Sequence, residues 1–149
     1  MDVACGVIKA VCISAGKGTE KTNVHQALAK KDWGLDGDAH AGSWHRQISL
    51  LSWQKVQEFN LQGFEVKDGS FGENLLVDGI DCAHLPVGTR LKCGEALLEV
   101  TQIGKECHHN CAIRDRVGHC IMPKEGIFAR VLRGGLICEN DEIMTINGG

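Results

Sequence analysis

The stretch that decides the fold reads ALLEVTQI at residues 96–103 and continues directly as GKECHHNC at residues 104–111. The first eight residues predict a strand, and residues 89–93 just before them predict another. Gly94 lies between the two runs, where glycine favours a tight turn, so the pair predicts a β-hairpin. This hairpin would lead directly into residues 104–111, which carry the most reactive side chains of the protein.

Residues 104–111 bring two thiols, two imidazoles and a lysine together. If the chain stays extended there, Lys105 and Cys107 lie on the same face, because side chains alternate along a strand. A neighbouring cation favours the thiolate of a cysteine, and the thiolate is both the nucleophile and the metal ligand. Cys107 is therefore predicted to be the most reactive group in the protein. The alternative is a small cysteine buried in the core.

Composition restricts the class of protein. A chain of 149 residues suits one domain, and 23% charged with 43% hydrophobic residues is typical of a soluble globular protein. The net charge of −3 argues against general nucleic-acid binding, which needs a basic surplus. The sequence contains no apolar run of membrane length and no signal-peptide pattern at its start. We therefore expect a cytoplasmic protein with no membrane partner.

Cysteine and glycine usage adds further expectations. Of the eight cysteines, only Cys107, Cys111 and Cys120 cluster. With nearby histidines they could bind zinc, although their spacing matches no common zinc module. The other five are predicted to pack in the core or at its edge. Nineteen glycines and two prolines imply many tight turns, which favours a β-rich fold with short connections.

Apolar runs elsewhere predict the remaining elements. Residues 53–60 predict a helix that Ser52 caps. Residues 127–133 predict a second short helix, with Arg130 on its less apolar side. Strands are predicted at residues 3–14, 47–52, 75–77, 136–138 and 142–146, and residues 24–31 fit either a strand or a short helix.

One polar stretch stands apart from these elements. Residues 33–46 contain three glycines, two acids, two histidines, two tryptophans and an arginine, with almost no periodicity. A loop of this kind is more typical of function than of packing. His40 and His45 could bind a metal, although a zinc site needs four ligands. Arg46 has a forked set of donors suited to phosphate or carboxylate, with a surface salt bridge as the alternative.

Several of these stretches form an ordered series. Glu73 and Asn74 stand at the entrance of a predicted strand, where they are either site residues or turn formers. With the stretches around them, they complete a series that consists of GLDGDAH at residues 34–40 with Arg46, GENL at 72–75, GKEC at 104–107, and GIFARV at 126–131 before two glycines. In this order and at these distances the series closely resembles the MOSC domain, the module named after the C-terminal region of molybdenum-cofactor sulfurases. The likeness covers about residues 3–146, and the chain looks like the short stand-alone bacterial type.

This resemblance implies a fold, a ligand and a set of site residues. The expected fold is a single domain over residues 1–149, mainly β, built as a twisted β-barrel with a few short helices. The expected ligand is the molybdenum cofactor, in which molybdopterin carries the metal. Cys107 matches the family's sulfur carrier or molybdenum ligand, and Lys105 is expected to assist it. The residues expected to line the pterin-phosphate pocket are Asp38, His40, Arg46, Asn74 and Arg130.

Three functions fit these residues. The first is a molybdenum-cofactor-binding protein acting in cofactor maturation, delivery or sulfuration, with Cys107 carrying sulfur as a persulfide and Cys111 resolving it. Its partners would be cofactor-assembly proteins and a sulfur donor of the cysteine-desulfurase type. The second is a complete molybdoenzyme that reduces N-hydroxylated compounds with electrons from a separate protein. The third is a non-enzymatic domain stabilised by zinc through Cys107, Cys111, Cys120 and a histidine.

Overall fold

A closed barrel of seven strands forms the body of the protein. A computed structural model of the chain describes residues 4–16, 19–104 and 121–146. Its helices are α1 (Trp53–Leu61) and α2 (Met122–Glu125), with a 3₁₀ turn at Cys82–His84, and neither described helix is long and apolar enough to cross a membrane. The strands are β1 (Cys5–Ile13), β2 (Thr22–Asn23), β3 (Gln26–Lys30), β4 (Gly34–Leu35), β5 (Ile48–Ser52), β6 (Leu75–Asp78), β7 (Arg90–Cys93), β8 (Ala96–Ile103), β9 (Ile127–Arg133), β10 (Gly135–Cys138) and β11 (Glu142–Ile146).

Each barrel strand pairs with two neighbours, in the order β1, β11, β7, β8, β9, β5 and β6, and β6 returns to β1. All these pairs are antiparallel except β5 with β6, which run parallel because α1 crosses between them. Strand β2 extends the sheet beside β1, and β10, β3 and β4 form a separate three-stranded sheet. The predicted hairpin is the pair β7 and β8. The prediction of a mainly β barrel with a few short helices is confirmed.

Two hydrophobic clusters cover opposite faces of the barrel wall. Leu50 belongs to the larger cluster and Leu51 to the smaller, and both are fully buried. The two separate because successive side chains of a strand point to opposite faces. The larger cluster takes residues from every barrel strand and fills the interior. In the smaller cluster, Val56 and Phe59 pack α1 against the outside of the wall.

The helix predicted at residues 53–60 is confirmed as α1, but the predicted Ser52 cap is wrong. Ser52 stands at the N-cap position, yet its side chain makes no capping hydrogen bond. Its hydroxyl instead donates to the carbonyl of Ile80 (2.7 Å) and accepts from the backbone N–H of Cys82 (2.8 Å). Ser52 is also the last residue of β5 and is buried, so its side chain meets the neighbouring turn rather than its own helix.

Replacing Ser52 with alanine should lower the free energy of unfolding by about 2 kcal/mol, because a buried carbonyl and a buried N–H both lose their partner. Helix content should not change, since no cap is lost. Urea unfolding and far-ultraviolet circular dichroism measure the two effects. Ser43→Ala, at an exposed position, is the control and should unfold as the wild type does. A reduced helical signal at an unchanged free energy of unfolding would contradict the conclusion that the Ser52 hydroxyl bonds the turn at Ile80 and Cys82 rather than helix α1.

The second predicted helix, at residues 127–133, is wrong, because these residues form strand β9. Strand β9 lies between β8 and β5, with Val131 in the interior cluster and Phe128 in the outer one. A central strand whose two faces are both covered is apolar on both faces, and a short run of this kind resembles a helical stripe. The ambiguous residues 24–31 contain a strand, β3.

Candidate functional site

Of residues 33–46, predicted to be a loop, Gly34 and Leu35 form the short strand β4, and the residues after them form a loop that connects β4 to β5. We call residues 36–46 the polar loop. The N–H of Ala39 donates to the carbonyl of Ser14, just after β1 (2.8 Å). Gly34 opens β4 with a φ of 132°, and a Cβ there would lie 2.7 Å from the carbonyl oxygen of Gln47. Glycine is therefore required where the chain enters the loop.

Arg46, at the end of the polar loop, is held by an amide and two aromatic rings. Its Nε donates to Oε1 of Gln102 (3.0 Å). Its guanidinium carbon lies 5.3 Å from the ring centre of Phe128 and 5.8 Å from that of Trp44, within the range of cation–π attraction. These contacts hold the guanidinium group through its Nε and its faces, and a bidentate anion would use its other edge.

Gln102 ties the polar loop to the residue after β8. Its Oε1 accepts from Arg46 and also from Nε2 of His45 (2.7 Å). Its Nε2 donates to the carbonyl of Gly104 (2.7 Å). One amide therefore orients two loop side chains and the backbone beyond β8 at the same time. Sequence reasoning missed Gln102, and the available signal was a polar residue near the end of a mostly apolar strand.

A hollow of about 410 Å³ opens beside this arrangement. Its volume falls within the range of roughly 300–1,000 Å³ typical of small-molecule pockets. Arg130 on β9 stands in its wall, and its Nε and Nη2 contact Oε1 of Glu99 (3.1 and 3.0 Å). The wall therefore combines cationic, aromatic and carboxylate groups. It is lined by Asp32, Ser43, Trp44, His45, Gln47 and Arg130.

Asp38 belongs to the polar loop, and its side chain lies beneath the loop, inside the protein. Its side chain and that of Lys21 are both fully buried, and Lys21 Nζ lies 2.7 Å from Asp38 Oδ1. Oδ1 also accepts from the N–H of Ser14 (3.1 Å), while Oδ2 accepts from the N–H of His40 (3.3 Å) and from Nδ2 of Asn74 (3.1 Å). Sequence reasoning missed Lys21, because nothing in its local pattern marks a buried charge.

Asn74 is fully buried at the entrance of β6, and its amide is engaged on both sides. Its Nδ2 donates to the carbonyl of Cys12 (2.9 Å) as well as to Asp38. Its Oδ1 accepts from the N–H of Ser49 (2.9 Å) and from the Ser49 hydroxyl (3.2 Å). Asn74 therefore joins β1, β5 and the polar loop from within.

Glu73 is fully buried, and its two oxygens accept from the backbone N–H groups of Gly69 (2.9 Å) and Phe71 (3.1 Å). Removal from water raises the pKa of its carboxyl to about 7, although the backbone donors act in the opposite direction. Gly69 has a φ of 84°, and a Cβ there would lie 2.2 Å from the carbonyl oxygen of Lys21. The turn that holds Glu73 therefore also packs against the backbone of Lys21.

His40 links the buried network to the outer part of the polar loop. Its backbone N–H bonds to Asp38, and its carbonyl accepts from Nε1 of Trp44 (2.8 Å). The His40 and Trp44 rings stack with centres 6.2 Å apart. The five residues predicted to bind the cofactor thus divide into two groups. Asp38, His40 and Asn74 form one network. Arg130 lines the hollow, and Arg46 lies between two of its lining residues, His45 and Gln47.

The remaining predicted site residues lie outside the described part of the chain. These are Lys105 and Cys107, together with the proposed zinc ligands Cys111 and Cys120 and the neighbouring histidines. Their roles stay predictions. Within residues 4–16, 19–104 and 121–146, no group of three or more histidine, cysteine or acidic side chains is arranged to hold a metal ion.

Three of the five described cysteines have the character of packing residues. Cys12, Cys82 and Cys93 are buried. Removal from water raises the pKa of each of these thiols, that of Cys82 to about 11, which suppresses the reactive thiolate. Cys5 is exposed and Cys138 is half-buried, both on strands.

The chain resembles known proteins in sequence and in fold. A family model described as the MOSC domain matches residues 37–144, which include the polar loop and the segment around Cys107. The fold is similar to the crystal structure of the YuaD protein from Bacillus subtilis, with a TM-score of 0.79 at 20% identity over 97% of each chain. It is also similar to YiiM from Escherichia coli, with a TM-score of 0.68 at 20% identity over 97% of this chain and 71% of that one. No curated protein matches the chain.

Proposed function

The chain belongs to the MOSC domain family, and on that premise we propose that it binds the molybdenum cofactor and acts in cofactor maturation, delivery or sulfuration. The family is commonly associated with binding of this cofactor. The resemblance found in the sequence is confirmed by the family match. The cytoplasmic location expected from the sequence is part of the proposal.

The observation that carries the proposal is the arrangement of Arg46. The cofactor is a flat pterin with a phosphate tail, so its site needs fixed cations and aromatic surfaces. Arg46 is held by Gln102, with its guanidinium group near the rings of Trp44 and Phe128, and its chain neighbours Trp44, His45 and Gln47 line a hollow of about 410 Å³. A guanidinium group fixed in this way loses little freedom when it forms paired hydrogen bonds to a phosphate. The residues present therefore fit an anionic, partly aromatic ligand.

Arg46 and His45 would hold the phosphate end, and Arg130 would add positive charge in the wall of the hollow. Cys107 would supply one soft thiolate ligand to the metal. When bound, the cofactor supplies a molybdenum centre capable of oxygen or sulfur exchange. Asp38 and Asn74 would act from beneath the polar loop by holding its backbone, since both side chains are buried.

In the sulfuration version, Cys107 also carries sulfur. Its thiolate attacks the outer sulfur of a persulfide on a donor protein, the donor cysteine leaves as a thiolate, and the sulfur remains on Cys107 as a new persulfide. Lys105 would stabilise the attacking thiolate, and Cys111 would resolve the persulfide as a disulfide, releasing the sulfur as hydrosulfide. Mass spectrometry after incubation with a cysteine desulfurase and cysteine tests this step, with Cys107→Ser as the control that should gain no sulfur at this position.

The proposal is tested by the molybdenum and pterin content of protein produced in cells that make the cofactor. The wild type should contain both, and Cys107→Ser should lose molybdenum. Arg46→Met should reduce the pterin content about tenfold or more, because a charge-assisted pair of hydrogen bonds is lost. Arg133→Met is the matched control, since this arginine is exposed at the far end of β9 and should have no effect.

Wild-type protein without molybdenum or pterin would contradict cofactor binding. The same elemental analysis addresses the zinc alternative, which predicts stoichiometric zinc and unfolding by a chelator. Turnover of an N-hydroxylated compound by the loaded protein with a chemical reductant would favour the complete molybdoenzyme.

A further inference from the structure

Lys21, the buried partner of Asp38, has no role in the proposed function so far. Both side chains are fully buried, with Nζ and Oδ1 2.7 Å apart. Lys21 Nζ also lies 3.2 Å from the hydroxyl of Ser14. Lysine and aspartate are rarely buried completely, because removing each charge from water is costly unless a partner compensates. Each charge of this pair therefore depends on the other.

Asp38 gathers donors from three separate parts of the chain. They are the N–H of Ser14 after β1, the N–H of His40 in the polar loop, and Nδ2 of Asn74 before β6. The backbone N–H of Lys21 is itself bonded to the carbonyl of Gly69 (2.8 Å). The backbone of Lys21 is therefore fixed, and the ion pair connects the polar loop to the ends of β1 and β6.

A chain of contacts links the ion pair to the outer side chains of the polar loop. His40 bonds to Asp38 through its N–H and to the indole of Trp44 through its carbonyl. Trp44 in turn lies against Arg46. Without the lysine, the Asp38 carboxylate would be buried with neutral donors alone, and turning toward water would release the His40 N–H. The loop would then lose a contact that helps to position His40 and, through it, Trp44.

We infer that Lys21 is a positioning residue of the cofactor site: its buried ammonium group holds Asp38 in place, and Asp38 holds the polar loop, which carries Arg46 and supplies Trp44 and His45 to the wall of the hollow. The link to the cofactor rests on the proposed function. The placement of the loop does not, and it can be measured without any ligand.

The experiment uses the full chain with Trp33→Phe and Trp53→Phe, so that Trp44 is the single tryptophan. Lys21→Met in this background removes the charge and keeps an apolar stem. Quenching of Trp44 emission by acrylamide should rise about twofold, because the indole is 38% exposed when the loop is in place and would become largely exposed. The emission maximum should move to longer wavelength. Both are measured under conditions where unfolding curves show the protein to be folded.

A purely stabilising ion pair would not move this signal in the folded protein. Ile143→Ala is the matched control, because Ile143 is buried on β11, which carries none of the site residues, and its loss also lowers stability. It should leave Trp44 emission and quenching unchanged.

If Lys21→Met does not fold, the double variant Lys21→Met with Asp38→Asn leaves no unpaired buried charge and tests the ion pair as a whole. In the Asp38→Asn side chain, Oδ1 can still accept from the N–H of Ser14, but the new NH₂ group faces the donors of His40 and Asn74. The loop should therefore again be displaced.

Wild-type quenching in every folded variant that lacks the pair would overturn the inference, whatever the cofactor content. Wild-type protein without molybdenum would overturn the proposed function and leave the loop result standing. A displaced loop with undiminished molybdenum and pterin would overturn the assignment of Lys21 to the cofactor site.

Discussion

Replacing Asn74 with alanine should lower the free energy of unfolding by about 4 kcal/mol, a large part of the stability of a domain of this size. The substitution removes the Asn74 partner of two buried backbone groups, the Cys12 carbonyl and the Ser49 N–H, and one of the two donors to Oδ2 of Asp38. Each such group costs roughly 1–3 kcal/mol when it stays away from water. Since Asn74 is completely buried, solvent cannot replace the lost amide without rearrangement.

Urea unfolding followed by circular dichroism measures this effect. Asn60→Ala is a matched control, because Asn60 also bonds through both amide atoms, to the N–H and the carbonyl of Val66, but is only partly buried. We expect a loss of about 1 kcal/mol there. Equal losses for the two variants would contradict the role of Asn74 as the joint between β1, β5 and the polar loop.

Stability should fall as the pH rises from about 5 to 8, and Glu73 should account for about 3 kcal/mol of the change. Burial raises the pKa of this carboxyl from 4.5 to about 7 in the folded protein. Between these values the folded state therefore holds a proton that the unfolded state has released. The contribution of Glu73 is fully present below pH 4.5 and is lost as the pH rises through 7, where a bare carboxylate must stay buried.

Glu73→Gln removes this titration and should flatten the stability profile across the same pH window. The amide can accept only one of the two backbone hydrogen bonds, so its stability at pH 5 should be lower than that of the wild type. The test therefore compares how steeply the free energy of unfolding changes with pH, rather than its value at one pH. Glu65→Gln, at an exposed position, should keep the wild-type slope. Parallel profiles for the wild type and Glu73→Gln would show that Glu73 does not titrate in this range.

Both predictions concern residues of the motif at the entrance of β6. In the sequence, Glu73 and Asn74 could be either site residues or turn formers. The structure places both inside the protein, where Glu73 shapes the turn beside Lys21 and Asn74 holds Asp38. Substitutions here should therefore impair the candidate site through stability and loop placement, before any direct contact with a ligand is lost.

The polar loop, the hairpin of β7 and β8, and helix α1 were predictable because their signals are local. Glycines and polar residues mark a loop, and short apolar runs on either side of a turn mark a hairpin. Strand β9 was mistaken for a helix because its pairing with β8 and β5, which are distant in sequence, covers both of its faces. The Ser52 cap failed for a similar reason, since the turn after β6 offered its hydroxyl nearer partners.

By itself, the sequence determined the family, the mainly β barrel and the loop that carries Arg46, because ordered motifs and turn residues are recognisable from short local stretches of residues. Only the tertiary structure decided which motif residues face the hollow and which lie beneath the loop. Asp38 meets Lys21 across 17 residues and Asn74 across 36, and both contacts exist only once β1, β5 and β6 are paired. Burial and ion pairing depend on such distant partners, so no local pattern distinguishes a positioning residue from one that would bind the ligand.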